Sequence, residues 1–183
     1  MLYTRKGDTG TTGTFGCNQR MSKSSLIAEA LGSLDEVNSF LGVVKVCSAD
    51  KDFILINQNF LEIVQTVQQN LFIIQAELAG TPMSITEEKV AELEKLTDTA
   101  EKEMPPIRTF FISGGTELAS LFDVSRTMAR RAERRVVAVQ EEGLVKVGQY
   151  TLAYLNRLSS LLYALARLSN HKCGINESAP QYK

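Results

Sequence analysis

From Gly114 to Glu142 the chain reads GGTELASLFDVSRTMARRAERRVVAVQEE, and Leu118, Leu121, Phe122, Met128, Ala129, Ala132, Val136 and Val139 recur at steps of three and four. That is the period of an α-helix with one apolar stripe. A long helix with one apolar side needs other elements to cover it, so this stretch constrains the fold more than any other. Beside the stripe, Arg126, Arg130 and Arg134 lie at successive steps of four, with Asp123 at the start of the row and Glu133 near its edge. Like charges so spaced repel by about 0.2 to 0.5 kcal/mol per pair. Two readings stand: a solvated basic face, or a row that a polyanion or a set of carboxylates neutralises. A row of arginines without lysine suits the second, because guanidinium grips phosphate and carboxylate through two parallel hydrogen bonds.

The remaining periodic stretches are also helical. Ser24 or Ser25 caps a helix running to about Ser48, with Leu26, Ile27, Ala30, Leu31, Leu34, Val37, Leu41 and Val44 on one side. Asp35 and Glu36 interrupt its apolar spacing, either as a solvent-facing acidic pair or as partners for the arginine row. A second helix is expected from about Asp52 to Ala79, stopped by Gly80, Thr81 and Pro82. A mostly polar third helix follows Ser84, which heads a capping-box spacing to Glu87 with Thr86 as the competing cap, and it ends near Glu103. The last helix spans about Val147 to Asn170, with Asn156 facing either water or the arginine row. No stretch reads as a convincing strand, and the architecture expected is an all-α, five-helix up-and-down bundle.

Between the third helix and the arginine helix, Met104 to Gly115 holds Pro105, Pro106, Phe110, Phe111 and the Gly114-Gly115 pair. Adjacent phenylalanines on such a stiff loop are either core plugs or a hydrophobic wall for a large flat ligand. The first 23 residues lack helical periodicity and place Gly7, Gly10, Gly13 and Gly16 every third residue among threonines, with Arg5, Lys6, Arg20 and Lys23 supplying charge. This composition fits a flexible tail or a cradle for an anion. It is not a P-loop, because the Gly-Lys-Ser/Thr ending is missing.

A net charge of -1 argues against general nucleic-acid binding, and the 44% hydrophobic content with no long apolar run points to a globular, cytoplasmic chain without a membrane segment. Cys17, Cys47 and Cys173 fit neither a disulfide framework nor a zinc spacing, and His171 stands alone. With no supported protein nucleophile, the chemistry left is electrostatic: binding of a phosphorylated nucleotide beside a second, apolar ligand.

Four blocks, YTRKGDTGTTGTFG, ALGSLDEVNSFLG, FFISGGTELASLFDVSRTMARRAERRVVA and YLNRLSSLLYALAR, together resemble the PduO-type ATP:cob(I)alamin adenosyltransferases, in the family's order from Tyr3 to about Arg167. The resemblance implies a ferritin-like five-helix bundle, homotrimeric, with active sites between subunits. It implies attack of the cob(I)alamin cobalt on the 5′ carbon of ATP, giving adenosylcobalamin and triphosphate. A single domain over 1–183 would comprise an ATP-binding loop (1–23), the bundle (24–172) and a tail (173–183) expected to be disordered.

Carried over residue by residue, the resemblance implies that Thr4, Arg5, Lys6, Gly7, Thr12 and Gly13 fold over ATP with Lys23 on its phosphates. Arg130, Arg131, Glu133 and Arg134 match the nucleotide-binding run, and Asn156 the asparagine of the last helix. Asp35 and Arg126 match a salt bridge across the subunit interface, and Phe110 matches the phenylalanine that displaces the lower axial ligand of cobalamin. Magnesium would enter mainly on the ATP phosphates. A cobalamin reductase and a cobalamin-dependent acceptor enzyme are the implied partners. Ser113 stands where the family usually has proline, and Ser160 where it has aspartate, departures that bear on rate and corrinoid preference. The rival readings are a non-catalytic ATP or corrinoid carrier of the same fold and a purely structural helical oligomer.

Overall fold

The computed structural model describes residues 3–14 and 20–182, so Gly16 and Cys17 lie outside the described residues. Five helices dominate: α1 (Leu26–Ala49), α2 (Phe60–Leu78), α3 (Glu87–Lys102), α4 (Glu117–Glu141) and α5 (Gln149–Lys172). Helix α1 packs on α2 and α4, and α5 packs on α4 and α3. The seams close because each helix turns its three-and-four stripe inward. Leu34, Leu41, Phe60, Leu71, Phe122, Leu155 and Leu158 are fully buried, and Phe60 meets Phe122 edge to face with ring centroids 6.0 Å apart.

The helix starts follow local chemistry. Ser25 and Thr116 cap α1 and α4 by accepting from the backbone N–H groups of Ala28 and Ala119. Thr86 rather than Ser84 stands at the cap of α3, with no side-chain bond to the backbone. Its hydroxyl instead holds the exposed Glu88 carboxyl below its ordinary pKa.

The expectation for the second helix needs correction. Asp52 to Asn59 is not helical: β1 (Thr11–Gly13) pairs with β2 (Arg20–Ser22) at the N-terminus, and β3 (Ile54–Leu55) pairs with β4 (Gln58–Asn59) just before α2. The chain turns at Ile56 and Asn57, both left-handed with φ of 50° and 61°, as a two-residue hairpin demands. Asn59 then opens α2 with a full capping box to Glu62. The expectation of no strands is therefore also corrected, by these two small antiparallel pairs.

One buried charge ties α2 to the start of α5. Glu77 accepts from the Gly148 backbone N–H at 2.7 Å and the Thr151 hydroxyl at 2.5 Å, placing a carboxylate at the positive end of α5. Glu77→Ala is expected to lower unfolding free energy by about 2 kcal/mol, because both donors lose a charged partner in a buried site. Urea unfolding measures it, and a loss below the scatter of surface substitutions would refute the linkage.

Candidate functional site

The arginines of α4 divide by direction. Arg131 pairs with Glu36 and Arg135 approaches Glu29 at 3.4 Å, so both lean toward α1. These pairs are half-exposed and contribute little to stability. Arg126, Arg130 and Arg134 face the other way. Arg126 meets Asp123 at 3.4 Å and lies 5.8 Å from the Tyr163 ring centre. Among the described residues, neither Arg130 nor Arg134 has an acidic group within ion-pair distance; Arg134 donates only to the Arg130 backbone carbonyl.

Two cavities open along this row. One of about 530 Å³ is walled by Phe110 and Phe111, with Arg126, Arg130, Ser159 and Tyr163 among its other linings. Phe110 is 80% exposed, so of the two options for this pair Phe110 forms a wall and does not plug the core. Ser113 also lines this cavity, and so does Ser160, so both departures from the family pattern fall at one place. Desolvation pushes the Tyr163 hydroxyl above its ordinary pKa, and Arg167 and Arg126 oppose that shift. The second cavity, about 300 Å³, is lined by Arg130, Glu133, Arg134, Val137 and Asn156. Here Asn156 donates to Glu133 at 3.0 Å and accepts from Arg157 at 2.7 Å. Asn156 therefore reaches the arginine helix. Arg130 lines both spaces.

Thr12, Gly13 and the rest of the N-terminal segment form a folded hairpin in their described part. Arg20 stitches it, donating to the Thr11 hydroxyl at 2.9 Å and to the carbonyls of Lys6 and Thr11 at 2.6 and 2.8 Å. Lys23 donates its backbone N–H to Gly10 at 2.9 Å, and its ammonium lies 3.2 Å from where a Cβ on Gly7 would be. A side chain on Gly7 would make that ammonium shift by a few tenths of an ångström. Thr4, Arg5 and Lys6 are exposed. No described residue of this hairpin lines either arginine cavity; Gly13 lines a third cavity of about 600 Å³ with Asp35, Phe72 and Gln75. Asp35 and Arg126 therefore line separate cavities, and Arg126 takes Asp123 as its partner within the chain.

Residues beyond those singled out in the sequence also shape the first cavity. Ser159 and Tyr163 continue from Asn156 at steps of three and four along α5, a polar stripe whose period was a readable signal. No group of three or more acidic, histidine or cysteine side chains suited to a metal occurs among the described residues. Nor is any described helix long and apolar enough to cross a membrane.

The sequence model of the cobalamin adenosyltransferase family matches residues 2–169. The chain is 41% identical over 177 residues to the corrinoid adenosyltransferase PduO of Citrobacter freundii, covering 93% of this chain and 50% of that protein. It thus spans about half the length of that curated relative. A corrinoid adenosyltransferase of Bacillus subtilis is 38% identical over 96% of this chain and 90% of its own length. Among solved structures, a histidine-for-phenylalanine variant of the PduO-type ATP:corrinoid adenosyltransferase from Lactobacillus reuteri, complexed with cobalamin and ATP, superposes with a TM-score of 0.88. The identity is 29%, covering 99% of this chain and 97% of that one. A lysine-for-arginine variant of the same enzyme, complexed with ATP, gives a TM-score of 0.85 at 29% identity, covering 98% of this chain and all of the other.

Proposed function

Since this chain belongs to the cobalamin adenosyltransferase family, we propose that it transfers the 5′-deoxyadenosyl group of ATP to the cobalt of cob(I)alamin, giving adenosylcobalamin and triphosphate. The observation that carries the proposal is Arg130, which lines both the Phe110 cavity and the polar cavity beside it. A flat, largely apolar ligand against Phe110 and a polyanion on Arg130 and Arg134 would meet at that guanidinium. The relatives solved with cobalamin and ATP support both substrates.

In this reaction the cobalt(I) electron pair forms the bond to C5′, while the C5′–O bond breaks and its electrons leave with triphosphate. No side chain has to act as nucleophile. The protein's work is to align the two substrates and to stabilise the charge gathering on the departing phosphates. Arg130 and Arg134 suit that second task, with Arg131 turned toward α1 and Asn156 and Glu133 fixing the floor of the polar cavity. The N-terminal hairpin, from Thr4 through Gly13 with Lys23, would cover the nucleotide. Because that hairpin lies on a different cavity from the arginine row, we read the complete site as shared between subunits of a homotrimer. Asp35 would then pair with the partner subunit's Arg126. Exposed Val43 and Val46 on α1, Phe72 on α2 and Val124 on α4 are apolar surface that such an assembly would cover. Magnesium would enter as the counter-ion of the ATP phosphates. A cytoplasmic setting goes with this reading, with a reductase supplying cob(I)alamin and a cobalamin-dependent enzyme taking the product.

The test is anaerobic. Mixed with chemically reduced cob(I)alamin, ATP and magnesium, the protein should convert the absorbance spectrum to that of adenosylcobalamin and release stoichiometric triphosphate. An unchanged spectrum while ATP binds would reject transfer in favour of the non-catalytic carrier.

A further inference from the structure

The loop that carries Phe110 and Phe111 is held from behind by side chains with no place in the proposed chemistry. At its start, Arg167 on α5 donates to the Pro105 carbonyl at 3.4 Å, and its guanidinium carbon lies 4.9 Å from the centre of the Phe111 ring. One turn further along α5, Asn170 donates to the Gly114 carbonyl at 2.8 Å and accepts from the Thr116 backbone N–H at 2.9 Å. Arg167 is only 5% exposed, and its charge is met by Glu177 at 2.8 Å. Glu177 comes from the C-terminal tail, expected from sequence to be disordered. The tail adds a backbone bond of its own, the Ile112 N–H donating to the Ser178 carbonyl at 2.9 Å. That bond falls two residues after Phe110.

A buried guanidinium keeps a fixed geometry only while its charge is paired, and stacking over Phe111 passes that geometry to the cavity wall. From this we infer that Arg167 and Glu177 are positioning residues for the corrinoid half of the reaction: the tail holds Arg167, and Arg167 holds the Phe110–Phe111 wall at its working distance. The inference rests on the function proposed above. The pair lies away from Arg134, Glu133 and Asn156, so its influence falls on the corrinoid and not on the nucleotide.

Glu177→Gln removes the tail's charge and leaves its shape, and a chain ending at Gly174 removes the tail altogether. Hydrogen exchange at the Ile112 amide should accelerate by about tenfold or more in both variants, since its opening is local. In the adenosyl-transfer assay, kcat/KM for cob(I)alamin should fall by about 10- to 100-fold, the penalty for a misplaced binding wall. The KM for ATP should stay within about twofold, and Glu177→Asp should recover most of the loss. Unchanged exchange at Ile112, unchanged corrinoid kinetics, or equal losses for both substrates would each overturn the inference. A wild-type protein that makes no adenosylcobalamin sinks the proposed function itself; a working wild type beside an unaltered Glu177→Gln sinks only the positioning role.

Discussion

Arg130→Ala is expected to lower kcat for adenosyl transfer by about 10²- to 10³-fold, the scale for losing a preorganised group aimed at charge that develops in the transition state. The fold should not notice. Arg130 is exposed and makes no ion pair among the described residues, and the bond from Arg134 goes to its backbone carbonyl, which alanine keeps. Substitutions at such positions change stability by about 0.5 kcal/mol or less. Melting temperature and turnover should therefore separate, with the first unchanged and the second nearly lost. Arg131→Ala is the matched control, because its side chain faces Glu36 on α1 and lines neither cavity of the row. If both variants keep activity within threefold of wild type, the row is not the triphosphate site and the reading of α4 fails.

Gly115→Ala is expected to be a strongly damaging single-methyl change. Gly115 has φ of 110°, and a Cβ built there would come within 2.4 Å of Asn170 Oδ1. Asn170 has nowhere to go: it is buried, and its amide already joins Gly114 and Thr116. Backbone strain and a rigid clash together should remove about 3 kcal/mol of stability, lowering the melting temperature by roughly 10 °C for a domain of this size. Neighbouring Gly114 separates the two effects. Its φ is 125° but a Cβ there would meet nothing within 4 Å, so Gly114→Ala should carry the strain alone, about 1 to 2 kcal/mol. Equal losses in thermal unfolding would mean that Asn170 yields, and that it does not anchor the loop.

The helices were legible because the core they build is periodic. α1 and α5 begin and end within about two residues of the expected bounds, and α4 starts three residues after Gly114 and ends one before Glu142. The start of α2 was misread for a physical reason: Phe53 and Ile56 fall at helical spacing from Phe60 by coincidence, while a hairpin turns between them. The better signal was Asn59 followed three residues later by Glu62, which marks a helix start whatever precedes it. In the site, the arginine row could be seen, but its two sides could not. Whether Arg131 or Arg130 meets an acid depends on which neighbour α4 packs against, and spacing along one helix does not carry that. The buried Arg167 was hidden for a related reason. Its partner lies in a tail whose composition reads as disordered, and only the tertiary approach of Glu177 and Ser178 gives the tail a conformation.

The bare side of the arginine row has a thermodynamic corollary. Arg130 and Arg134 stand one turn apart and repel each other in the empty protein, and no acid among the described residues comes within ion-pair distance of either. A polyanion that settles there removes the repulsion as well as adding its own attraction. Part of its affinity is therefore strain in the ligand-free fold that is released on binding. An apoprotein loosened in this way and a tightly held nucleotide are the same free energy seen from opposite ends of one equilibrium. A substitution that relieved the row with a nearby carboxylate would make the empty chain sturdier and the hold on the polyanion weaker.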